Sequence, residues 1–413
     1  MGRVWPSPLL VVQPSADYAA RIQALEAPSL LLVSPERAGG LAGYEVVVAD
    51  LGDPASVLRD LRRFLSSRQI QPAGITCFVC EYLPLTAWLA TRLGLPFPSE
   101  AAVRRSRVKS EAAAIWQAAG VPTPPSALVR SRDELLAFAG CTAGPWILKP
   151  VDRSGSEWVL RADSAAELPR LDDAMVAGLA AGVGGDGARV PYLVQTLVTG
   201  PEVGLDLWVN EGRGQLLRVT GKCLVDEPGV AGMVGAYFPA RLDAAATRAL
   251  AHVAEAAVAA LGCRQGLAMA DIVLTAAGPC VLEVAFRPGG DCLPDLCRRA
   301  LGYDPIAAAC QVALGRAPAP PARRNPEPLA AVHLISPHQG RIEKLGFVRL
   351  RSHPAFVELL EVYHQPGECL RVWPGSYDQR ILAACLVRCH DPRQLPDLCR
   401  RLPELVDVEL SPV

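Results

Sequence analysis

Residues 266–291 read GLAMADIVLTAAGPCVLEVAFRPGGD, and this stretch decides the fold. Two β-rich runs flank Ala276-Ala277-Gly278, which predicts a hairpin with a three-residue loop and glycine where a left-handed backbone is favoured. That register sets Asp271 opposite Glu283. Ile272, Leu274, Leu282, Val284 and Phe286 then share an apolar face, and Asp271, Glu283, Ala285 and Arg287 line the polar one. Facing carboxylates repel, so the pair is costly unless a cation lies between them. A hard, oxygen-seeking ion such as Mg2+ suits the pair, and Mg2+ usually arrives with nucleotide phosphates. The plain alternative is two solvated carboxylates on an exposed sheet face.

The 413 residues are half hydrophobic, enough for two or three domains with cores of their own. With 41 basic and 42 acidic residues there is no global field to recruit nucleic acid, and no Lys/Arg block suggests a local one. The apolar run in MGRVWPSPLLVV is too short for a signal peptide, Pro6 breaks the myristoylation pattern after Gly2, and no stretch approaches the length of a membrane span. The expected setting is cytoplasmic, without a membrane or nucleic-acid partner. The 13 cysteines are scattered through apolar runs, as buried free thiols would be. Cys77 and Cys80 form a CxxC in a strand-like run, and Cys385, Cys389 and His390 cluster in another, but neither group has the remaining ligands of a zinc site. Both read as structural, and spacing alone assembles no Ser or Cys nucleophile with its base.

Residues 9–94 alternate short apolar runs (LLVV, SLLLV, YEVVVAD, GITCFVC) with helical patterns, the rhythm of a small α/β layer with a parallel sheet. No GxGxxG follows the first strand, so a dinucleotide site there is not expected. A basic-starting helix, SRVKSEAAAIWQAAG, closes at Gly120 before a proline-rich connector. WILKP and EWVLRA flank residues 152–156; a helix over 164–182, a flexible AAGVGGDGAR, further strands and a long helix over 243–262 lead to the acidic hairpin. Prolines between 317 and 328 read as a stiff linker, and the remainder as a compact α+β cap with several short strands and one late helix.

Lys149 ends a strand just before a small-residue turn, Ser154-Gly155-Ser156, and such turns aim backbone N–H groups at phosphate oxygens. Lys109 adds a second ammonium. With the carboxylate pair these features make a polyphosphate cradle, though GxxxxGK[ST] is absent.

In this order the parts resemble the ATP-grasp superfamily, specifically carboxylate–amine ligases similar to L-amino-acid ligases, over nearly the whole chain. RSRVKSEAAAIWQAAGVPTP is similar to that family's first helix, with Lys109 as its ATP-contacting lysine, and WILKPVDRSGSEWV resembles the second lysine, Lys149, and the phosphate-covering loop. YLVQTLVTGPE resembles the hinge strand, which implies Gln195, Leu197 and Val198 near adenine and Glu202 near ribose. Lys222 in RVTGKCL matches a basic position facing phosphates or substrate. In the hairpin, Asp271 and Glu283 match the Mg2+ ligands, with Mn2+ as an alternative ion, and Arg287 the oxyanion or carboxylate partner. Gly289 and Gly290 let backbone approach a substrate, and Asp291 would take its amino group. Three positions depart from the family: Ala285 stands where asparagine is usual, Trp158 where glycine is usual, and Thr196 where glutamate is common. Ala285 removes an oxygen ligand; Trp158 is expected to alter loop closure or mark a substrate-facing wall.

The implied architecture is α/β and α+β: an N-terminal Rossmann-like α/β domain over 1–107, an ATP-grasp core of two α+β subdomains over 108–316, the linker 317–328 and a C-terminal α+β domain over 329–413. The implied reaction joins a small carboxylate to an amine through an acyl phosphate and releases ADP and phosphate, with a homodimer as an open possibility. Rival readings are an ATP-grasp carboxylase, for which no biotinyl-lysine module follows the core, an ammonia ligase, or a non-catalytic nucleotide-binding regulator.

Overall fold

The computed structural model describes residues 7–25, 27–171, 173, 191–225, 232–323, 325–336, 338–370 and 378–412. The first six residues, most of the expected 164–182 helix and the glycine-rich run after it lie outside the described residues.

The four apolar runs near the N-terminus form a parallel sheet in the order Val46–Val48, Ser29–Val33, Leu9–Val12, Gly74–Cys77. Leu9, Leu10, Val11 and Val12 are fully buried, as expected of a parallel strand covered on both faces. Helices Ala16–Ala24 and Pro54–Arg68 start on Ser15 and Asp53 caps, whose side chains accept otherwise unpaired amide N–H groups.

The basic-starting helix is two helices, Glu100–Arg107 and Lys109–Ala118, broken at Val108 with φ −89° and ψ 96°. Periodicity could not show the break, because its cause is tertiary: the Lys109 amide donates to Val151 O at 2.8 Å instead of continuing the first helix. A four-stranded antiparallel sheet follows, in the order Ser126–Val129, Tyr192–Thr196, Trp146–Pro150, Leu160–Ala162.

Eight strands make the central sheet. Its order is Gly278–Ala285, Gly266–Thr275, Glu202–Asn210, Arg213–Leu224, Met233–Phe238, Leu329–Ile335, Ile381–Arg388, Phe356–Val362. Helix Ala244–Ala260 covers one face with Leu250, Ala254 and Ala257, and Trp116 locks it by donating from its indole to Ala257 O at 3.0 Å. Residues beyond the proline-rich stretch supply three strands of this sheet and a small sheet of their own, Cys369–Leu370, Gly340–Gly346, Asp407–Ser411. The proline-rich stretch itself is strapped to helix Leu293–Leu301, Arg323 N donating to Leu301 O at 2.9 Å.

The hairpin loop differs from expectation. It holds two residues, with Thr275 paired to Gly278, and a bulge between Asp271 and Ile272 on one strand skips Leu282 on the other, restoring Asp271 opposite Glu283. Thr275 favours the shorter turn: its hydroxyl donates to Gly278 O and accepts from Ala277 N. A bulge sets two residues against one. Leu282 accordingly lines the same cavity as Glu283 instead of joining the apolar face, whereas Ile272, Val284 and Phe286 pack in the core as expected.

Candidate active site

A cavity of about 270 Å³ lies between the four-stranded sheet and the central sheet. The first contributes Ile147, Lys149 and Gln195; the second contributes Glu202, Lys222, Asp271 and Glu283. The segment after Lys149 lines the cavity with residues 153–157. Its backbone is left-handed at Gly155 (φ +65°), Ser156 (φ +57°) and Trp158 (φ +55°). Three charged groups hold it down: Arg107 Nη2 donates to Asp152 O at 2.7 Å, Lys109 Nζ donates to Arg153 O, and Ser154 Oγ donates to a Glu81 carboxylate oxygen.

Alternation along neighbouring strands brings the acids and lysines together. Lys222 Nζ lies 2.7 Å from Asp271 Oδ2 and 3.0 Å from Glu202 Oε1. Asp271 Oδ1 is buried with no hydrogen-bond partner, and so is Thr196 Oγ1 at the other side of the cavity. Burial raises the Asp271 carboxyl above its ordinary range, and Lys222 only partly offsets that. Burial also acts upward on Glu283, but Lys109, Lys149 and Lys222 outweigh it and hold this carboxyl low. For Lys149, burial and then the Lys109 charge push the ammonium down to about 8, against the opposing pull of the three acids. Lys222 moves the other way, since Asp271 and Glu202 more than compensate its desolvation.

The structure collects Lys109, Lys149, Ser154, Gly155, Ser156, Gln195, Leu197, Val198, Glu202, Lys222, Asp271 and Glu283 around this one cavity. Arg287, Gly289, Gly290 and Asp291 are not among its lining residues; Arg287 lies beyond Glu283 on the chain, half-buried, against Cys80. Ala285 sits opposite Met269, is buried, and does not line the cavity. Trp158 is no substrate-facing wall. It is 7% exposed and packs with Trp146, Leu148 and Leu160 in the core of the small sheet, so its indole fills that core while its backbone keeps a conformation glycine takes without strain.

Sequence reasoning passed over the apolar lining Pro124, Ile147, Leu224, Val225 and Met233, and the cation Arg161. Strand alternation at Ile147-Leu148-Lys149 was the available signal, since Ile147 shares the Lys149 side. This apolar lining, together with the cations and the facing carboxylates, suits an aromatic base joined to a metal-bound polyphosphate. The unpaired Asp271 Oδ1, a hard oxygen donor facing a second carboxylate, fits a divalent cation.

A family model described as an ATP-grasp domain matches residues 142–295. Carnosine synthase 1 of Gallus gallus is 28% identical over 363 residues, covering 80% of this chain and 38% of the relative. A D-alanine--D-alanine ligase of Anaeromyxobacter dehalogenans is 31% identical over 175 residues, covering 38% of this chain and 53% of the relative. The chain thus spans about a third to a half of these relatives' lengths. The fold is also that of an L-amino acid ligase from Bacillus licheniformis, with a TM-score of 0.78 at 19% identity over 98% of this chain and 99% of the other. The cavity between the two sheets is lined mostly by residues of the stretch 142–295, which matches the ATP-grasp domain.

Proposed function

We propose that this chain is an ATP-dependent carboxylate–amine ligase acting on amino-acid-like substrates. The reaction joins them by an amide bond and releases ADP and phosphate. The observation that carries the reading is the unpartnered Asp271 Oδ1 facing Glu283 in a cavity with three lysines. Polyphosphate and a divalent cation complete that set of charges. Gln195, Leu197 and Val198, with Thr196, would flank the base, Glu202 the ribose, and Lys109, Lys149 and residues 154–156 the phosphates.

Asp271 and Glu283 would hold Mg2+, or Mn2+. When bound, the ion supplies charge neutralisation at the phosphate oxygens. In the reaction a substrate carboxylate oxygen attacks the γ-phosphorus, the bond to ADP breaks, and the amine nitrogen then displaces phosphate from the acyl carbon. Lys149 and Lys109 stabilise charge on the transferring group, Arg287 would hold the acyl oxygen or carboxylate, and Asp291 the amino group. The covering segment excludes water that would hydrolyse the acyl phosphate. No covalent nucleophile is required. A cytoplasmic setting, where ATP and free amino acids meet, belongs to the same reading.

Incubation with ATP, Mg2+ and pooled amino acids, followed by mass spectrometry, tests it. The expected products are ADP, phosphate and conjugates lighter than their parents' sum by one water. AMP and pyrophosphate, or nucleotide binding without turnover, would overturn the assignment.

A further inference from the structure

Cys77 and Cys80, a CxxC that gathers no further metal ligands among the described residues, have two separate roles in the fold. Cys77 closes the turn after strand Gly74–Cys77: its thiol donates to Val79 O at 3.2 Å and accepts from Val79 N at 3.4 Å. That turn aims the next residues across to the central sheet. Cys80, 5% exposed, accepts from Arg287 Nε at 2.8 Å. Arg287 Nη1 donates to Pro288 O at 2.8 Å. The planar guanidinium is therefore fixed at two of its nitrogens. It packs onto the glycine turn, where a Cβ added at Gly290 would stand 3.5 Å from Nη1. Glu81, the next residue of the cysteine turn, accepts from Ser154 of the covering segment.

We infer that Cys80 is a positioning residue: its sulfur, presented by the N-terminal sheet, sets the plane of the Arg287 guanidinium so that its remaining N–H groups meet the substrate carboxylate or acyl oxygen. This rests on the substrate role proposed above for Arg287. A thiol suits the task. A carboxylate at position 80 would take the guanidinium in a bidentate pair, whereas a sulfur, a weaker acceptor, takes one N–H and leaves the rest of the fork for substrate. The Cys80–Glu81 turn also joins both sides of the reaction, touching the arginine through one residue and the phosphate cover through the next.

The test uses the full chain with ATP, Mg2+ and an equimolar mixture of the twenty amino acids, following ADP release. Cys80→Ala should raise the half-saturating concentration of the mixture, or lower kcat, by about tenfold to a hundredfold, with the half-saturating ATP concentration unchanged. Cys80→Ser should recover most of the loss, because a hydroxyl accepts the same N–H. Phenylglyoxal labelling, read by peptide mass spectrometry, needs no turnover: Arg287 should be modified several-fold faster in Cys80→Ala than in the unaltered chain. Equal labelling rates, or equal losses in the Ala and Ser variants alongside matching drops in unfolding midpoint, overturn the inference. Arg287→Ala separates the two claims. If it turns over normally, the substrate role of Arg287 fails; if it is impaired while Cys80→Ala is normal, only the positioning role fails.

Discussion

Replacing Lys149 by methionine should stabilise the nucleotide-free protein while abolishing its chemistry. The Lys149 ammonium is half-buried in the cavity, and desolvation followed by repulsion from Lys109 lowers it from 10.5 to about 8. One pKa unit corresponds to about 1.4 kcal/mol, so holding this lysine charged costs up to about 3 kcal/mol, and roughly 1–3 once partial solvation is allowed for. The sign follows from linkage. Between pH 8 and 10.5 the unfolded chain binds more protons at this site than the folded one, so the wild type gains stability as pH rises through that window. Below about pH 8 the cost is present in full. Lys149→Met removes it, and the unfolding midpoint in the absence of nucleotide should rise at pH 7 by about 2 °C or more. The gap should shrink through that window and vanish above about pH 10.5, where the lysine loses its proton in the unfolded chain as well. With Mg2+ and ATP the order reverses, because the wild type gains a phosphate partner that the variant lacks. Thermal-shift curves at several pH values, with and without Mg-ATP, measure all three effects. A variant less stable than wild type without nucleotide, or a difference independent of pH, would refute the reasoning.

Other expectations follow from the same charges and packing. Asp206→Ala should cost about 3–5 kcal/mol by denaturant unfolding, because it leaves the buried Arg218 guanidinium without the carboxylate that accepts from it at 2.7 and 2.8 Å; a loss under 1 kcal/mol would mean that water reaches the site. Since burial raises the Asp271 carboxyl, ATP turnover should decline on acidification earlier than an ordinary carboxylate predicts, and Asp271→Asn should abolish Mg2+-dependent turnover at every pH; full activity in that variant removes Asp271 from the metal site. Trp158→Gly relieves a left-handed backbone worth about 1 kcal/mol but vacates a core position worth about 3–5, so the unfolding midpoint should fall; an unchanged midpoint would show that the indole does not fill the core.

What the sequence disclosed was local. Strand period and turn chemistry sufficed to face Asp271 with Glu283, yet the pairing was reached through a three-residue loop that does not exist: a two-residue turn and a bulge at Leu282 shift the register by one residue in compensation. Nothing in VLEVA marks that bulge, because it answers the shorter turn at Thr275–Gly278 and no residue of the strand itself requires it. The parallel N-terminal layer was legible for the opposite reason, its strands Leu9–Val12, Ser29–Val33 and Gly74–Cys77 being largely apolar runs buried on both sides. Contacts between distant segments left no local trace. Arg287 and Cys80 are 207 residues apart, and Lys222 meets Glu202 and Asp271 only because three strands align in one sheet. The Val108 break likewise depends on a carbonyl more than forty residues onward, at Val151.

The charges of the cavity explain why such a site survives folding and why it is ready to react. Desolvation favours the neutral form of half-buried acids and lysines alike when either stands alone. Interleaved, they hold one another ionised unequally: Lys222 is over-satisfied by two carboxylates, whereas Lys149 is under-satisfied and its ammonium is depressed. The deficit falls where the phosphates would lie, and a buried, unpaired carboxylate oxygen, on Asp271, falls where a cation would. A ligand carrying both signs, a polyphosphate with its metal, corrects both imbalances at once, so the energy left unsatisfied in the folded protein becomes binding and transition-state stabilisation when that ligand enters. A bare anion would satisfy Lys149 but aggravate Asp271, and a bare cation would do the reverse. Nucleotide and metal should therefore bind with positive cooperativity, each raising the other's affinity by the same factor. Calorimetric titration of ATP with and without Mg2+, and of Mg2+ with and without ATP, reads that factor from both sides after correction for the complex formed in solution. Independent binding of the two would mean that the unpaired oxygen and the depressed lysine do not share one site.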